Sequence, residues 1–323
     1  MPLDPRAQRL LSMVAAAAPG GRERPSPEQR RQSLAKLMQL ARNDVGPVTT
    51  RDGRCDGPAG ALHYRMYTPD PGDNIVHRAA DAHLPGFVYF HGGGLVAGGI
   101  DTHDKVAAAL AVASGCRLIS FDYRLAPEHK FPAAADDALA AVEFVVRHGA
   151  LLGIDSDRVV VGGDSAGATL AAFLCQHAAA AGAPAIAAQC LICPVLDFSA
   201  ARPSREQFGT GYLLDKVTWE ADLADYLSAD VPLDDPAISP LCNPNLAGLP
   251  PAVIHTAEFD PMRDEGNAYA ARLATAGVTV AHVCHGGMVH NFHALGALLP
   301  QAKPALELIG HQLRSLLQSP ASR

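Results

Sequence analysis

No stretch of about 18 uncharged apolar residues occurs in the 323-residue chain, so no transmembrane helix is expected. The apolar run Met13–Ala18 is the nearest approach to a targeting segment. Asp4, Arg6 and Arg9 precede it, Gly20-Gly21-Arg22-Glu23-Arg24 follows, and it is too short for a secretion signal. A basic excess is also missing. Twenty-six Lys and Arg stand against 33 Asp and Glu, for a formal charge of −7, which leaves no electrostatic footprint for nucleic acid. The pair Cys190-x-x-Cys193 has no second pair to complete a zinc ribbon, and no H-E-x-x-H occurs. The odd total of seven cysteines, mostly inside apolar runs, reads as reduced thiols in a cytoplasmic protein. There is no G-x-G-x-x-G and no Gly-rich loop ending in Lys-Ser or Lys-Thr, so nothing cradles a phosphate. Internal repeats are absent. What remains, 48% apolar and 18% charged, is an ordinary soluble globular composition.

The strongest local signal is Val159–Ala168, V-V-V-G-G-D-S-A-G-A. Three β-branched residues enter Gly163-Asp164-Ser165-Ala166-Gly167, and a helix-favouring run from Ala168 to Leu174 leaves it. A strand, a tight turn and a helix around G-x-S-x-G expose the serine hydroxyl at a strained backbone position. The helix start behind Ser165 adds free N–H groups and a partial positive charge. Residues 1–45 read as two helices and no strand. The second opens on Ser26-Pro27-Glu28-Gln29, with an N-cap, a first-position proline and a capping-box glutamine. Leu34, Leu37, Met38 and Ala41 give it one apolar face, which must lie on something; it is read as a cap segment. From 46 onward, strands at Leu62–Tyr67, Phe87–Phe90, Cys116–Phe121, Val159–Val161, Ala187–Val195, Ala252–Thr256 and Val278–Val283 alternate with helices. The helices fall at Val106–Val112, Pro132–Arg147, Ala166–Ala180, Asp264–Ala276 and Pro304–Leu317, with a polar loop over Asp70–His83. Such alternation predicts an α/β fold with a mostly parallel sheet covered on both faces. Residues 200–230 return to polar, helical character.

A serine nucleophile needs a base, an orienting acid and donors for the oxyanion. On this kind of sheet the acid and then the histidine follow later strands. Asp260, held extended before Pro261, follows the strand Ala252–Thr256; Asp264 and Glu265 read instead as first-turn residues complementing a helix dipole. After Val278–Val283 come His285, His290 and His293, of which His290 is the chosen base. No carboxylate lies near enough in sequence to make the three histidines a metal site. Gly92, Gly93 and Gly94, after the Phe87–Phe90 strand, would let backbone N–H groups converge on a developing oxyanion with that of Ala166. His91 reads as an anchor of that loop.

Six segments together resemble the hormone-sensitive-lipase-type branch of the α/β-hydrolases, the bacterial carboxylesterases with an HGGG loop. They are His91-Gly92-Gly93-Gly94, Asp122 to His129, Phe131-Pro132-Ala133-Ala134, Gly163 to Gly167, Asp260 to Gly266 and Gly287 to Phe292, in family order. The resemblance implies an α/β-hydrolase fold with an eight-stranded core over 46–323, capped by 1–45 and 200–230. It implies Ser165 as nucleophile, His290 as general base and acid, Asp260 as its orienting carboxylate, and Gly93, Gly94 and Ala166 as oxyanion donors. Tyr123–His129 would hold loops without reacting. No metal and no cofactor is called for. The expected activity is hydrolysis of short- to medium-chain acyl esters through an acyl-enzyme, by a cytoplasmic protein. The same resemblance implies a homodimer, with a C-terminal strand or helix edge as candidate interface. The rival activities are amidase, arylformamidase or deacetylase on the same site, and a non-catalytic small-ligand receptor of the same fold. Leu95, Ala168 and Asn291 depart from frequent family residues without removing a catalytic group.

Overall fold

The computed structural model describes residues 1–17, 24–40, 43–70, 83–181 and 185–318. Helices α1 (Pro5–Ala17) and α2 (Pro27–Leu40) precede the hairpin β1 (Val48–Gly57) and β2 (Gly60–Pro69). Then follow β3 (Leu84–Phe90), α3 (Ile100–Ser114), β4 (Arg117–Phe121), α4 (Ala133–Arg147), the single turn α5 (Gly149–Leu152), β5 (Ile154–Asp164), α6 (Ala166–Ala181) and β6 (Ala188–Ile192). Helices α7 (Pro203–Phe208) and α8 (Lys216–Tyr226), β7 (Ala252–Phe259), α9 (Arg263–Thr275), β8 (Val280–Val289) and α10 (Ala302–Gln318) complete the chain. All eight strands form one sheet in the order β1-β2-β4-β3-β5-β6-β7-β8. The β1–β2 and β2–β4 pairs are antiparallel, and every pairing from β4 to β8 is parallel.

The sheet is buried on both faces because its strands carry apolar residues on both. Along β3, Val88 and Phe90 join one core while Phe87 and Tyr89 join the other; along β5, Val159 and Val161 face one way and Val160 the other. The first core takes Val142 of α4, Leu170 and Leu174 of α6 and Leu273 of α9. The second takes Val106 and Leu110 of α3 and Ile309 and Leu313 of α10. Alternation with period two on β3 and β5 thus divides each strand between two helical layers.

The expected elements all appear, with longer bounds in most cases. Strand β5 starts at Ile154 rather than Val159, because its entry carries the polar residues Asp155 and Arg158, which pair with each other at 2.6 Å. Strand β6 ends at Ile192; Cys193, at φ 45°, turns the chain before Pro194 is reached. The capping box at α2 is reciprocal, Gln29 N–H donating to Ser26 Oγ at 3.2 Å and Ser26 N–H to Gln29 Oε1 at 2.9 Å. Gly277, at φ 83°, closes α9 as the sequence suggests. Most of the Asp70–His83 loop, 71–82, lies outside the described residues.

Candidate active site

Strand β5 delivers Asp164 and Ser165 at the carboxyl edge of the sheet, and α6 begins on the next residue. Ser165 sits at φ 52°, a left-handed conformation held by its own N–H donating to Ile192 O at 2.8 Å. The flanking glycines are dictated by proximity. A Cβ at Gly163 would stand 2.3 Å from Phe90 O, and one at Gly167 2.0 Å from the same carbonyl. Strand β3 and the start of α6 pass too close for a side chain at either position.

The structure brings the three sequence-predicted residues together. His290, the first residue after β8, places Nε2 3.0 Å from Ser165 Oγ and Nδ1 2.8 Å from Asp260 Oδ2. Asp260, the first residue after β7, takes the Met262 N–H on Oδ1 at 2.8 Å. In the tautomer these contacts require, His290 Nδ1–H donates to Asp260 and Nε2 accepts the Ser165 hydroxyl proton. Asp260 is wholly buried, and His290 and Ser165 are nearly so.

The glycine loop after β3 lies against this line. Gly93 and Gly94 adopt φ 125° and 69°, and the N–H groups of Gly93, Gly94 and Ala166 have no partner among the described residues. The loop is held from behind. Gly92 N–H donates to Asp164 Oδ1 at 3.0 Å and Tyr123 O–H to His91 O at 2.7 Å. The His91 ring stacks on Tyr123 at 4.3 Å and on His103 at 5.3 Å, and burial, with the charge of His103, pushes its pKa down to about 3. His91 therefore anchors the loop as a neutral ring. From the Tyr123–His129 segment, Arg124 forks onto Asp137 and Glu128 onto Arg31 of α2. Arg31 also donates to Val96 O and Ala126 O, which ties α2 to the loop.

Several arrangements had no sequence signal. Asp164, fully buried, accepts from Tyr89 O–H as well as Gly92, with His103 Nε2 3.6 Å and His293 Nε2 3.9 Å from its Oδ2. Burial alone would raise the Asp164 carboxyl. The charge and hydrogen bond of His103, the charge of His293 and the Tyr89 bond outweigh it and hold the group well below the usual carboxylate range. Glu265 stands in the first turn of α9, as expected, and is wholly buried there, bonded to Arg205 Nη2 at 2.6 Å and to Leu196 N–H at 3.0 Å. Burial pushes its carboxyl up to about 8 against the pull of Arg205. Of the three histidines that follow Val283, His285 lies within β8 and His290 and His293 come after it. His285 pairs with His255 at 2.8 Å, His290 with Asp260, and His293 packs toward Asp164. The metal-donor trio among the described residues is instead Cys193, Asp260 and His290, whose donor atoms lie within 4.8 Å of one another. Its aspartate and histidine are already bonded together, and burial pushes the Cys193 thiol well above its usual range.

Over Ser165 lies a cavity of about 730 Å³. Leu34 and Leu37 of α2, Trp219 and Leu223 of α8, Leu213 and Phe198 give it apolar walls; Gly93, Gly94 and His290 form its floor with Ser165. Arg30 of α2 and Asp222 of α8 bring a partly buried ion pair into it at 3.0 Å.

The alpha/beta hydrolase fold family model matches residues 87–294. The chain is 36% identical to ethyl acetate hydrolase of Pseudomonas putida over 98% of its own length and 100% of that protein, and 38% identical to esterase LipI of Mycobacterium tuberculosis over 84% and 83%. Among solved structures, a thermostable esterase of Pseudomonas putida superposes with a TM-score of 0.90 at 32% identity, over 99% of each chain. An ester-hydrolase from the metagenome of Lake Arreo, solved with a derivative of bipyridine phosphonate, superposes with a TM-score of 0.91 at 38% identity, over 97% of this chain and 98% of that one. By this similarity along nearly its whole length, the chain belongs to the α/β-hydrolases, in the hormone-sensitive-lipase-type branch of bacterial carboxylesterases.

Proposed function

We propose that the protein is a serine carboxylesterase acting on short- to medium-chain acyl esters, with Ser165 as nucleophile, His290 as base and acid, and Asp260 as orienting carboxylate. The observation that carries this reading is the unbroken line Ser165 Oγ–His290 Nε2 at 3.0 Å and His290 Nδ1–Asp260 Oδ2 at 2.8 Å. Ser165 attacks the ester carbonyl as His290 takes its proton. The oxyanion develops beside the unpartnered N–H groups of Gly93, Gly94 and Ala166. His290 returns the proton to the departing alcohol, and water then repeats the sequence on the acyl-enzyme. The receptor reading needs a site without its base, and the presence of His290 against Ser165 argues against it. Helices α1, α2 and α8 serve as the cap, since residues of all three line the cavity. The seven free cysteines support a cytoplasmic location. Dimerisation through β8 belongs to the same proposal, because the sheet continues on only one side of that strand.

The test is a series of initial rates on p-nitrophenyl esters from acetyl to palmitoyl, with Ser165→Ala alongside. Activity highest at short chains in wild type and lost in the variant is expected. Equal rates in the two proteins refute the assignment of Ser165, and preference for an anilide over the matched ester would move the reading to an amidase.

A further inference from the structure

The cavity above Ser165 is walled largely by apolar side chains, yet the half-buried Arg30 and the buried Asp222 stand in it, their side chains 15% and 7% exposed. Their pairing is one-sided. Arg30 Nε donates to Asp222 Oδ1 at 3.2 Å and Oδ2 at 3.0 Å. Asp222 in turn lies on the glycine loop: a Cβ at Gly94 would stand 1.9 Å from its Oδ2. The pair therefore joins the two cap helices directly over the proposed oxyanion donors.

A guanidinium has five N–H donors in a planar fork. Arg30 commits only the one on Nε; the four on Nη1 and Nη2 have no partner among the described residues. Its neighbour on the same helix shows the contrast. Arg31 uses Nε on Val96 O and both terminal nitrogens on Glu128 and Ala126 O. A half-used guanidinium on the wall of an apolar cavity is a prepared site for a planar anion, since two parallel N–H donors match the two oxygens of a carboxylate. The rest of the lining agrees. Arg24 and Lys36 stand at the same cavity, and Asp222 is its sole carboxylate among the described lining residues. Arg24 is itself paired, with Asp225 at 2.9 Å.

We propose that the free Nη1 and Nη2 groups of Arg30 form an anion subsite of the ester-binding cavity, and that the enzyme favours esters bearing a second, free carboxylate, such as half-esters of short dicarboxylic acids. An ionised carboxylate entering an apolar cavity loses its hydration and needs a partner there. Arg30 supplies that partner, and the adjacent Asp222 both orients the guanidinium and competes for it. The inference rests on the carboxylesterase reading.

The test compares monoethyl glutarate with diethyl glutarate at one pH, by continuous titration of released acid, in wild type, Arg30→Gln, Arg30→Lys, Asp222→Asn and Ser165→Ala. Arg30→Gln should lower kcat/KM for the half-ester at least about tenfold more than for the diester, mainly through KM. Arg30→Lys keeps the charge without the fork and should fall between. Asp222→Asn removes the competing carboxylate and should raise the half-ester-to-diester ratio. A ratio that stays within about twofold across the Arg30 and Asp222 variants overturns the inference, as does a wild type that cleaves the diester and ignores the half-ester. In both cases the carboxylesterase reading stands, provided Ser165→Ala abolishes diester cleavage. A wild type inert on both esters, or no faster than Ser165→Ala, sinks that reading and this inference with it.

Discussion

Asp164→Ala is the substitution that separates geometry from chemistry at this site, because the Asp164 carboxylate holds the glycine loop and hydrogen-bonds to Tyr89 and Gly92 rather than to Ser165, His290 or Asp260. Its carboxylate receives the Gly92 N–H at 3.0 Å and the Tyr89 hydroxyl, all three groups being buried. Alanine would leave that N–H and that O–H without acceptors, at roughly 1–3 kcal/mol each, or about 2–6 kcal/mol of folding stability. Gly92 leads directly into Gly93 and Gly94, so the loop that loses its anchor carries two of the three proposed oxyanion donors. A misplaced donor of this kind costs about 3–4 kcal/mol in the transition state, about 10²–10³ in kcat. Asp164→Asn is the matched control. It keeps an acceptor oxygen for Gly92 and Tyr89 and nearly the same volume, and loses only the charge facing His103 and His293. The assay is kcat on p-nitrophenyl butyrate, normalised by active-site titration, beside urea unfolding of each variant. The expected pattern is a kcat loss of about 10²–10³ with little change in KM for Asp164→Ala, and less than about tenfold for Asp164→Asn. A folded Asp164→Ala whose kcat stays within about threefold of wild type refutes the anchoring argument. Equal damage in the two variants would transfer the effect from the hydrogen bonds to the charge.

Three further outcomes follow from contacts that lie apart from the reacting atoms. Arg205→Met takes a hydrogen-bond donor from the fully buried Glu265 and should lower stability by about 1–3 kcal/mol, read as a fall in the urea midpoint; an unchanged midpoint would mean the contact contributes nothing. Gly167→Ala drives a Cβ to 2.0 Å from Phe90 O, a backbone atom that cannot swing aside, so soluble active protein should be lost, and a variant as active as wild type would discredit the close-approach argument. Burial, partly offset by Arg30 and reinforced by Asp225, raises the Asp222 carboxyl to about 6 from an ordinary value of 3.8. Between those values the folded protein binds more protons at this group than the unfolded chain does, so its contribution to stability is full below about pH 4 and falls as pH rises through about 6, by about 3 kcal/mol at most. Asp222→Asn should lack that part of the slope between about pH 4 and 6, and an unaltered slope would exclude Asp222 as its source.

What could be read from the sequence was whatever a few consecutive residues determine. The β-branched run into Gly163–Gly167, the reciprocal Ser26–Gln29 cap and the helix-closing Gly277 each announce a local conformation, and each is found. Position after the apolar run Val278–Val283 does not by itself separate His290 from His285 and His293; the structure does, by leaving His285 inside β8 and bringing His290 to Ser165. The arrangements that escaped notice are pairings over distance. Arg30 meets Asp222 across 192 residues, Asp164 meets Gly92 across 72, and Arg205 meets Glu265 across 60. A charged residue at the first turn of a helix looks the same in sequence whether it faces water or a buried arginine, so the Arg205 partner of Glu265 leaves no trace there. Cys193 gave no signal either, because its place behind Asp260 and His290 is set by a left-handed turn in a residue type that rarely makes one.

The parallel part of the sheet explains why these residues meet at all. Strands β3, β5, β7 and β8 run the same way, so the loop or residue that follows each one emerges at the same edge: the glycine loop, Ser165, Asp260 and His290 in turn. Parallelism alone is insufficient, however. In the order β5-β6-β7-β8, strand β8 lies three steps from β5, about 14 Å at the usual spacing, whereas His290 Nε2 is 3.0 Å from Ser165 Oγ. The ladder between β7 and β8 supplies a bend. Ala257 pairs with His285, but Phe259, two residues on, pairs with Val289, four residues on. The two extra residues on β8 fall in the stretch Gly286-Gly287-Met288, with Gly287 at φ 73° and its N–H held by Glu258 Oε2 at 2.8 Å. A bulge of this kind bends its strand and re-aims the next side chain, and here the next side chain is His290. The base therefore depends on a glycine pair whose own chemistry is nil. The cap helices α2 and α8 contribute none of the three proposed catalytic side chains, so substitutions there can retune the cavity while the line from Asp260 to Ser165 stays intact.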